Sequence, residues 1–330
     1  LPPDSAFLDL PLTTQCTNDL LMGGLAAMAL PAINTNAQAS RYRGPVLDSH
    51  IHLFDPFRPQ GIPWPEIDDV IYRRSLPDDY FAQAAALGIV GAIAVEASPW
   101  RQDNDWLLNA VRQHSGMVGF VGNLVPTDEQ FAADLDRLAA EPLFLGIRYG
   151  NLWERDLAVD LETPGFIDGM RQLAQSGRVL DSANPTPSLV AALLKVSDAV
   201  PDLRIVVDHL PNAQIPAQQA DRYWQDLRAL AGRGNVFMKL SEVPRQEGPS
   251  VCLDLSYYQE QLDVLWELFG EDRALFGSDW PNSDHLVTLD KTIGLTREYL
   301  ATKSHIAQEK VLYLNSKHAY HWHSPREDPS

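Results

Sequence analysis

The sequence predicts an α/β fold, a (β/α)8 TIM barrel with an N-terminal extension, and three observations predict it. From residue 45 onward, eight short apolar runs alternate with amphipathic stretches of helical spacing, the alternation that builds a parallel sheet with helical crossovers. Almost every run ends in a polar group able to do chemistry, as expected where strand carboxyl ends converge on one face of a closed barrel. No Gly-rich phosphate loop follows the first run, which argues against an open doubly wound sheet.

Taken in order, strands are expected at Val46-Leu47, Ile89 to Val95, Met117 to Leu124, Leu143 to Ile147, Val179-Leu180, Leu203 to Val207, Val236 to Leu240 and Ala274 to Phe276. Helices are expected between them, at Asp78 to Leu87, Asp105 to His114, Asp128 to Ala139, Pro164 to Gln175, Pro187 to Val200, Gln218 to Ala231, Ser256 to Phe269 and Leu286 to Leu300. Several open on capping residues or Pro, and several close at Gly88, Gly116, Gly177, Gly232 and Gly270.

A barrel of this kind takes about 250 residues, so the 330 residues hold one barrel, 45–323, an N-terminal extension, 1–44, and a C-terminal tail, 324–330. Residues 1–40 contain no Lys or Arg. Within them Leu20 to Leu30 is a small-residue apolar stretch, followed by Ala37-Gln38-Ala39; together they resemble the apolar region and cleavage site of an export signal. Asp4, Asp9 and Asp19 make the preceding region negative where such a signal is positive. The segment therefore reads either as a degenerate export signal or as an extension packed on the barrel. The expected protein is soluble, and either cytoplasmic or periplasmic and exported. The apolar stretch is shorter than the roughly 20 residues a membrane span needs.

Composition narrows the partners. An apolar share of 45% describes an ordinary globular chain. Lys and Arg total 26 against 44 Asp and Glu, a formal charge of −18, so a phosphate backbone is repelled and no nucleic acid partner is expected. The expected partner is a small-molecule substrate, with no membrane span; oligomeric state leaves no mark on the sequence. Cys16 and Cys252 are too few for a disulfide framework or a thiolate metal site.

The strand ends carry His50 and His52, Glu96, Asn123, Arg148, Asp181, His209, Lys239 with Ser241 and Glu242, and Asp279. His50 and His52 stand two residues apart, so on extended chain they project to the same side. Such a pair can chelate one divalent ion or hydrogen-bond one substrate oxygen. Ester hydrolysis needs a base for water, a polariser for the carbonyl and a holder for the substrate. Asp279 is the candidate base. His50, His52 and His209 are candidate donors to the developing oxyanion. Arg148 is a candidate clamp for a substrate carboxylate or hydroxyl pair, with Glu96, Asp181 and Lys239 as further substrate contacts, while structural pairing with a rim carboxylate is an equal reading of Lys239. Trp100, Trp153 and Trp280 follow the second, fourth and eighth runs and can wall a ring, although loop packing is the ordinary role of each. Specificity is expected in the loops, above all the long insert from Phe54 to Leu76.

The segment Leu47-Asp48-Ser49-His50-Ile51-His52-Leu53-Phe54-Asp55 resembles the opening motif of the amidohydrolase superfamily. Ile205-Val206-Val207-Asp208-His209-Leu210 resembles its strand-six histidine segment, and Leu275-Phe276-Gly277-Ser278-Asp279-Trp280-Pro281 its strand-eight aspartate segment. Gly146-Ile147-Arg148, Met238-Lys239-Leu240-Ser241 and the closing Lys310 to Asn315 with Tyr320 are similar to the "amidohydrolase 2" branch, which contains sugar-lactone and 2-pyrone-4,6-dicarboxylate lactonases. The likeness covers about residues 45 to 321. It implies hydrolysis of a cyclic ester of a sugar acid or of a pyrone or aromatic-catabolite acid. Arg148 and Asp181 stand where two-metal members of the superfamily carry a carboxylated lysine or glutamate and a histidine, and an arginine repels a cation. The implied cofactor is therefore none, or a single divalent cation, Zn or Mn, on His50, His52 and Asp279. A metal-dependent decarboxylase or hydratase of the same superfamily is the alternative reaction. A catalytically inactive barrel used as a binding module is the alternative from another class.

Overall fold

The computed structural model of the chain describes residues 41–183, 185–211 and 215–323. The expected leader and tail lie outside them. All eight expected runs are strands: β1 (Val46–His52), β2 (Ile89–Val95), β3 (Met117–Gly122), β4 (Phe144–Arg148), β5 (Val179–Ser182), β6 (Ile205–Val207), β7 (Val236–Leu240) and, after the hairpin β8 (Arg245–Glu247) and β9 (Ser250–Cys252), β10 (Ala274–Phe276). The barrel order is β1-β2-β3-β4-β5-β6-β7-β10, with every paired neighbour parallel. A helix follows each barrel strand, as the alternation requires. Gly88 and Gly177 follow their helices in the left-handed conformation (φ 75° and 72°) that terminates a helix without a side-chain clash. Gly270 (φ 68°) instead interrupts the helix Leu255–Arg273. The β8–β9 hairpin was not expected, because Arg245-Gln246-Glu247 has no apolar alternation to signal a strand. Among the described residues, no helix is long and apolar enough to cross a membrane.

Closure between β1 and β10 rests on side chains as much as on backbone. One parallel bridge, Ile51 to Trp280, joins the ends, with Asp279 N–H donating to His50 O (2.8 Å) and His52 N–H to Trp280 O (2.7 Å). Below it, Ser49 Oγ donates to Phe276 O at 2.6 Å. Buried Asp48 accepts from Ser278 N–H (2.9 Å), His50 N–H (3.1 Å) and Tyr80 O–H (2.6 Å). Gly277 lets the strands meet, since a Cβ there would stand 2.8 Å from His50 Cβ. Asp48 thus pins both strands that carry the His50–His52 pair and Asp279. Tyr80→Phe leaves that buried carboxylate one donor short, and urea unfolding is expected to register a loss of about 1–3 kcal/mol.

The barrel interior is layered, and period-two alternation explains the layers. Leu47, Ile93, Val121, Leu145, Val179, Val206, Phe237 and Leu275 form an apolar layer closed by Ala319, Tyr320 and Trp322 from the C-terminal segment. Two residues beyond Val179, Val206 and Phe237 stand Asp181, Asp208 and Lys239. These are fully buried, so an ionic layer sits on the apolar one, with the histidines near it.

Candidate active site

The ionic layer is built around Lys239 and Asp208. Lys239 Nζ lies 2.7 Å from Asp181 Oδ2 and 2.8 Å from Asp208 Oδ1, and Tyr320 O–H donates to Asp181 (2.8 and 3.0 Å). Arg148 Nε faces Asp208 Oδ2 at 3.0 Å, and its Nη1 is 3.9 Å from Glu96. Asp208 meets both cations off the hydrogen-bond axis, so charge attraction carries the contacts. Burial pushes the Asp208 carboxyl up, but Lys239, His50 and Arg148 outweigh it and hold it well below the usual carboxylate range. Burial and the Asp208 charge push Asp181 up to about 7, against the pull of Lys239.

Above this layer His50 Nε2, His52 Nε2 and Asp279 Oδ1 converge, with separations of 3.2 Å between the rings and 3.4 and 3.1 Å to the carboxylate. His52 Nδ1 donates to Val95 O at 3.1 Å, which leaves Nε2 of the neutral ring with a lone pair. Asn282 Nδ2 donates to the other oxygen, Asp279 Oδ2, at 2.7 Å. Burial disfavours the charged Asp279, yet its contacts with His52, His209 and His50 hold it well below the ordinary range. Burial lowers His50 well below its ordinary value and His209 to about 4. His209 packs on His50 (4.8 Å between rings) and contacts Ser241 Oγ through Nδ1 at 3.1 Å.

Three residues beyond β6, β7 and β10, namely His209, Glu242 and Asp279, hold the left-handed conformation (φ 64°, 54° and 61°). A non-glycine residue there costs about 1–3 kcal/mol, and at all three the side chain is turned into one space. Their ligand atoms lie within 4.8 Å of one another. Glu242 is 47% exposed along its side chain, with its carboxyl 3.9 Å from His209 Nε2. Burial of that carboxyl and the Asp279 charge raise it, and solvent access along the half-exposed chain moderates the shift.

His50, His52, His209, Arg148, Glu96 and Asp279 are therefore gathered at the mouth, whereas Asp181 and Lys239 are not exposed to it. Asp181 and Lys239, expected as substrate contacts, are fully buried, and each is engaged by the other. Arg148 is not a free clamp either, because Asp208 and Glu96 already face it. Trp153 reaches the rim, where its Nε1 donates to both Glu96 oxygens (3.1 and 2.9 Å). Trp280 is buried against Tyr80 (5.2 Å between rings), not exposed as a wall. Trp100 stands beside Arg58, whose guanidinium lies over it and over Trp106 (5.9 and 4.9 Å) while donating to Asp103 at 2.6 Å. That strut anchors the long insert, which brings Trp64 edge-on to His52 at 5.7 Å. A shallow recess lined by Phe54, Ile62, Pro63, Glu96, Ser98 and Asn123 lies beneath the insert.

Asp208, Glu242, Tyr320, Asn282 and Trp64 were not among the expected site residues. Asp208 had a signal in its place two residues beyond Val206, and Glu242 stood in view at the seventh strand end. Tyr320 belonged to the closing-helix likeness with no site role attached, and Trp64 comes from the middle of the insert with no local pattern.

His50, His52 and Asp279 fit one divalent ion. Three ligand atoms converge, with the His52 tautomer already set by Val95. Arg148 faces Asp208, and Asp181 is paired with Lys239. Fold and site together define a barrel enzyme of the hydrolase type, with histidines and one aspartate gathered at its strand ends. The chain belongs to the amidohydrolase family, whose model matches residues 47–322. It is similar to the L-fucono-1,5-lactonase of Burkholderia ambifaria, 29% identical over 239 residues that make up 72% of this chain and 80% of that one. The L-fucono-1,5-lactonase of Burkholderia multivorans is 24% identical over 290 residues, 81% of this chain and 92% of the other. A crystal structure of a Burkholderia multivorans amidohydrolase with bound zinc superimposes with a TM-score of 0.73 at 22% identity, covering 85% of this chain and 100% of that one.

Proposed function

We propose that the protein hydrolyses the cyclic ester of an uncharged, polyhydroxylated sugar acid, a 1,5-lactone of the kind that names its Burkholderia relatives. The observation that carries this reading is the Asp279 carboxylate, held between two imidazoles and Asn282 at the mouth. Asp279 accepts a proton from water as the water oxygen attacks the lactone carbonyl carbon. Charge developing on the carbonyl oxygen is met by imidazole N–H groups and by Arg148. The ring C–O bond then breaks, and the leaving alkoxide takes back the proton from Asp279, giving the hydroxy acid. A carboxylate held this low is intrinsically a weak base, so placement of the water has to supply what basicity does not. A divalent ion on His50, His52 and Asp279 supplies Lewis-acid polarisation when bound.

Charge selects among lactones. Asp208, Asp279 and Glu96 outnumber Arg148 and Lys239 even with Asp181 pushed up to about 7. Both cations already face carboxylates, so neither Arg148 nor Lys239 is free to pair with a dianionic pyrone or a carboxylated aromatic, and like-charge juxtaposition costs several kcal/mol. L-Fucono-1,5-lactone is expected to be hydrolysed with kcat/KM at least about 100-fold above that for 2-pyrone-4,6-dicarboxylate. A preference for the dicarboxylate in the same assay would reverse the substrate assignment. Carbon dioxide release from a carboxylated aromatic at a comparable rate would move the reading to a decarboxylase.

A further inference from the structure

We infer that Lys239 is a positioning residue that fixes the tautomer of His50, turning the His50 Nε2–H toward Asp279 and setting that proton in competition with any divalent ion for the ring nitrogen.

Three atoms with lone pairs stand within 3.2 Å of the Lys239 ammonium: Asp181 Oδ2 at 2.7 Å, Asp208 Oδ1 at 2.8 Å and His50 Nδ1 at 3.2 Å. An ammonium has three protons and no acceptor, so a hydrogen on Nδ1 would face it donor to donor, and Nδ1 must accept. Asp208 Oδ1, the other acceptor near that nitrogen, is farther from it, at 3.6 Å, and already faces Lys239. The single proton of the His50 ring therefore sits on Nε2, 3.4 Å from Asp279 Oδ1 and 3.2 Å from His52 Nε2.

His52 has the opposite polarity. Its Nδ1 faces a carbonyl oxygen, Val95 O, which can only accept, so its Nε2 offers a lone pair. The two rings are thus not equivalent ligands. His52 and Asp279 are set for a cation, while His50 is set to donate. Ligating histidines ordinarily pass their second N–H to a carboxylate, carbonyl or water. Here the partner at that position is a cation, and an Nδ1–H would meet it donor to donor. For hydrolysis, the same device presents a fixed N–H to the carbonyl oxygen; that consequence rests on the lactone reading, whereas the tautomer does not.

Two measurements on the full chain test it without any lactone, so their failure is separate from failure of the hydrolase reading. In metal-stripped protein labelled with 15N-histidine, long-range proton–nitrogen correlations, with His50 assigned by loss of its signals in His50→Gln, are expected to show the Nε2–H tautomer. An Nδ1–H pattern overturns the inference. Zinc affinity, measured by competition with a chromophoric chelator, is expected to rise about 10- to 100-fold in Lys239→Met, the scale on which such outer partners act. Unchanged or weaker binding in the folded variant overturns it. Where Lys239→Met does not fold, Lys239→Met/Asp181→Asn removes the stranded carboxylate and serves for the same titration. Should that fail too, the wild-type spectrum decides alone.

Discussion

Asp279→Asn is expected to lower kcat/KM on the lactone by about 100- to 10,000-fold, the range over which a positioned general base contributes. The substitution removes the proton acceptor and little else. The amide oxygen keeps the place of Oδ1 between His50 and His52, and a turn of the Asn282 amide restores the contact now made to Oδ2. Backbone strain is unchanged, since Asn tolerates the left-handed conformation held at residue 279 (φ 61°) as well as Asp does. Thermal unfolding should therefore shift by no more than a few degrees while turnover collapses. Because the Asp279 carboxyl lies well below the usual carboxylate range, the wild-type base stays ionised throughout mildly acid pH, and the activity ratio of the two proteins should hold level from about pH 5 to 8. Wild-type turnover in the folded variant would remove Asp279 from the role of base and, with it, the proposed mechanism.

The fold was legible because almost every barrel strand is an apolar run closed by a polar residue, and several helices carry a start or stop signal. The strand positions expected at Ile89, Val236 and Ala274 are those of β2, β7 and β10. The polar hairpin after β7 left no such mark. At the site, residue types at strand ends identified the His50–His52 pair and Asp279 but not the charge state of their surroundings. Arg148 reads as an anion clamp until Asp208 is seen 3.0 Å from it, and Lys239 reads equally as a substrate contact or a structural partner until Asp181 and Asp208 are found beside it. Pairing across the barrel is a property of closure, and a strand examined alone carries no sign of it. Trp280 shows the same limit in apolar terms. It follows a catalytic candidate in sequence, yet its ring turns away to Tyr80, while Trp64, from the middle of the insert, approaches His52.

Asp208→Ala is expected to destabilise the protein by about 3–5 kcal/mol, the cost of removing one partner from a buried ion pair. Asp208 is the shared counter-charge for Arg148 and Lys239. Without it Arg148 keeps Glu96 at 3.9 Å, and Lys239 keeps Asp181 at 2.7 Å. Two buried cations are then left with one counter-charge fewer, and Arg148 with only a distant one. The pH dependence has a definite sign. A carboxyl whose folded pKa is depressed contributes stability that is present above its unfolded value, about 3.9, and is lost as pH falls through the folded value. Asp208 is such a group. The stability gap between wild type and variant, followed by urea denaturation, should therefore be widest near neutrality and narrow as pH falls below about 4. A gap that stayed constant down to pH 2 would show that the lost stability came from packing around residue 208, and the ionic layer would then be a passenger in the barrel, not the base on which its histidines stand.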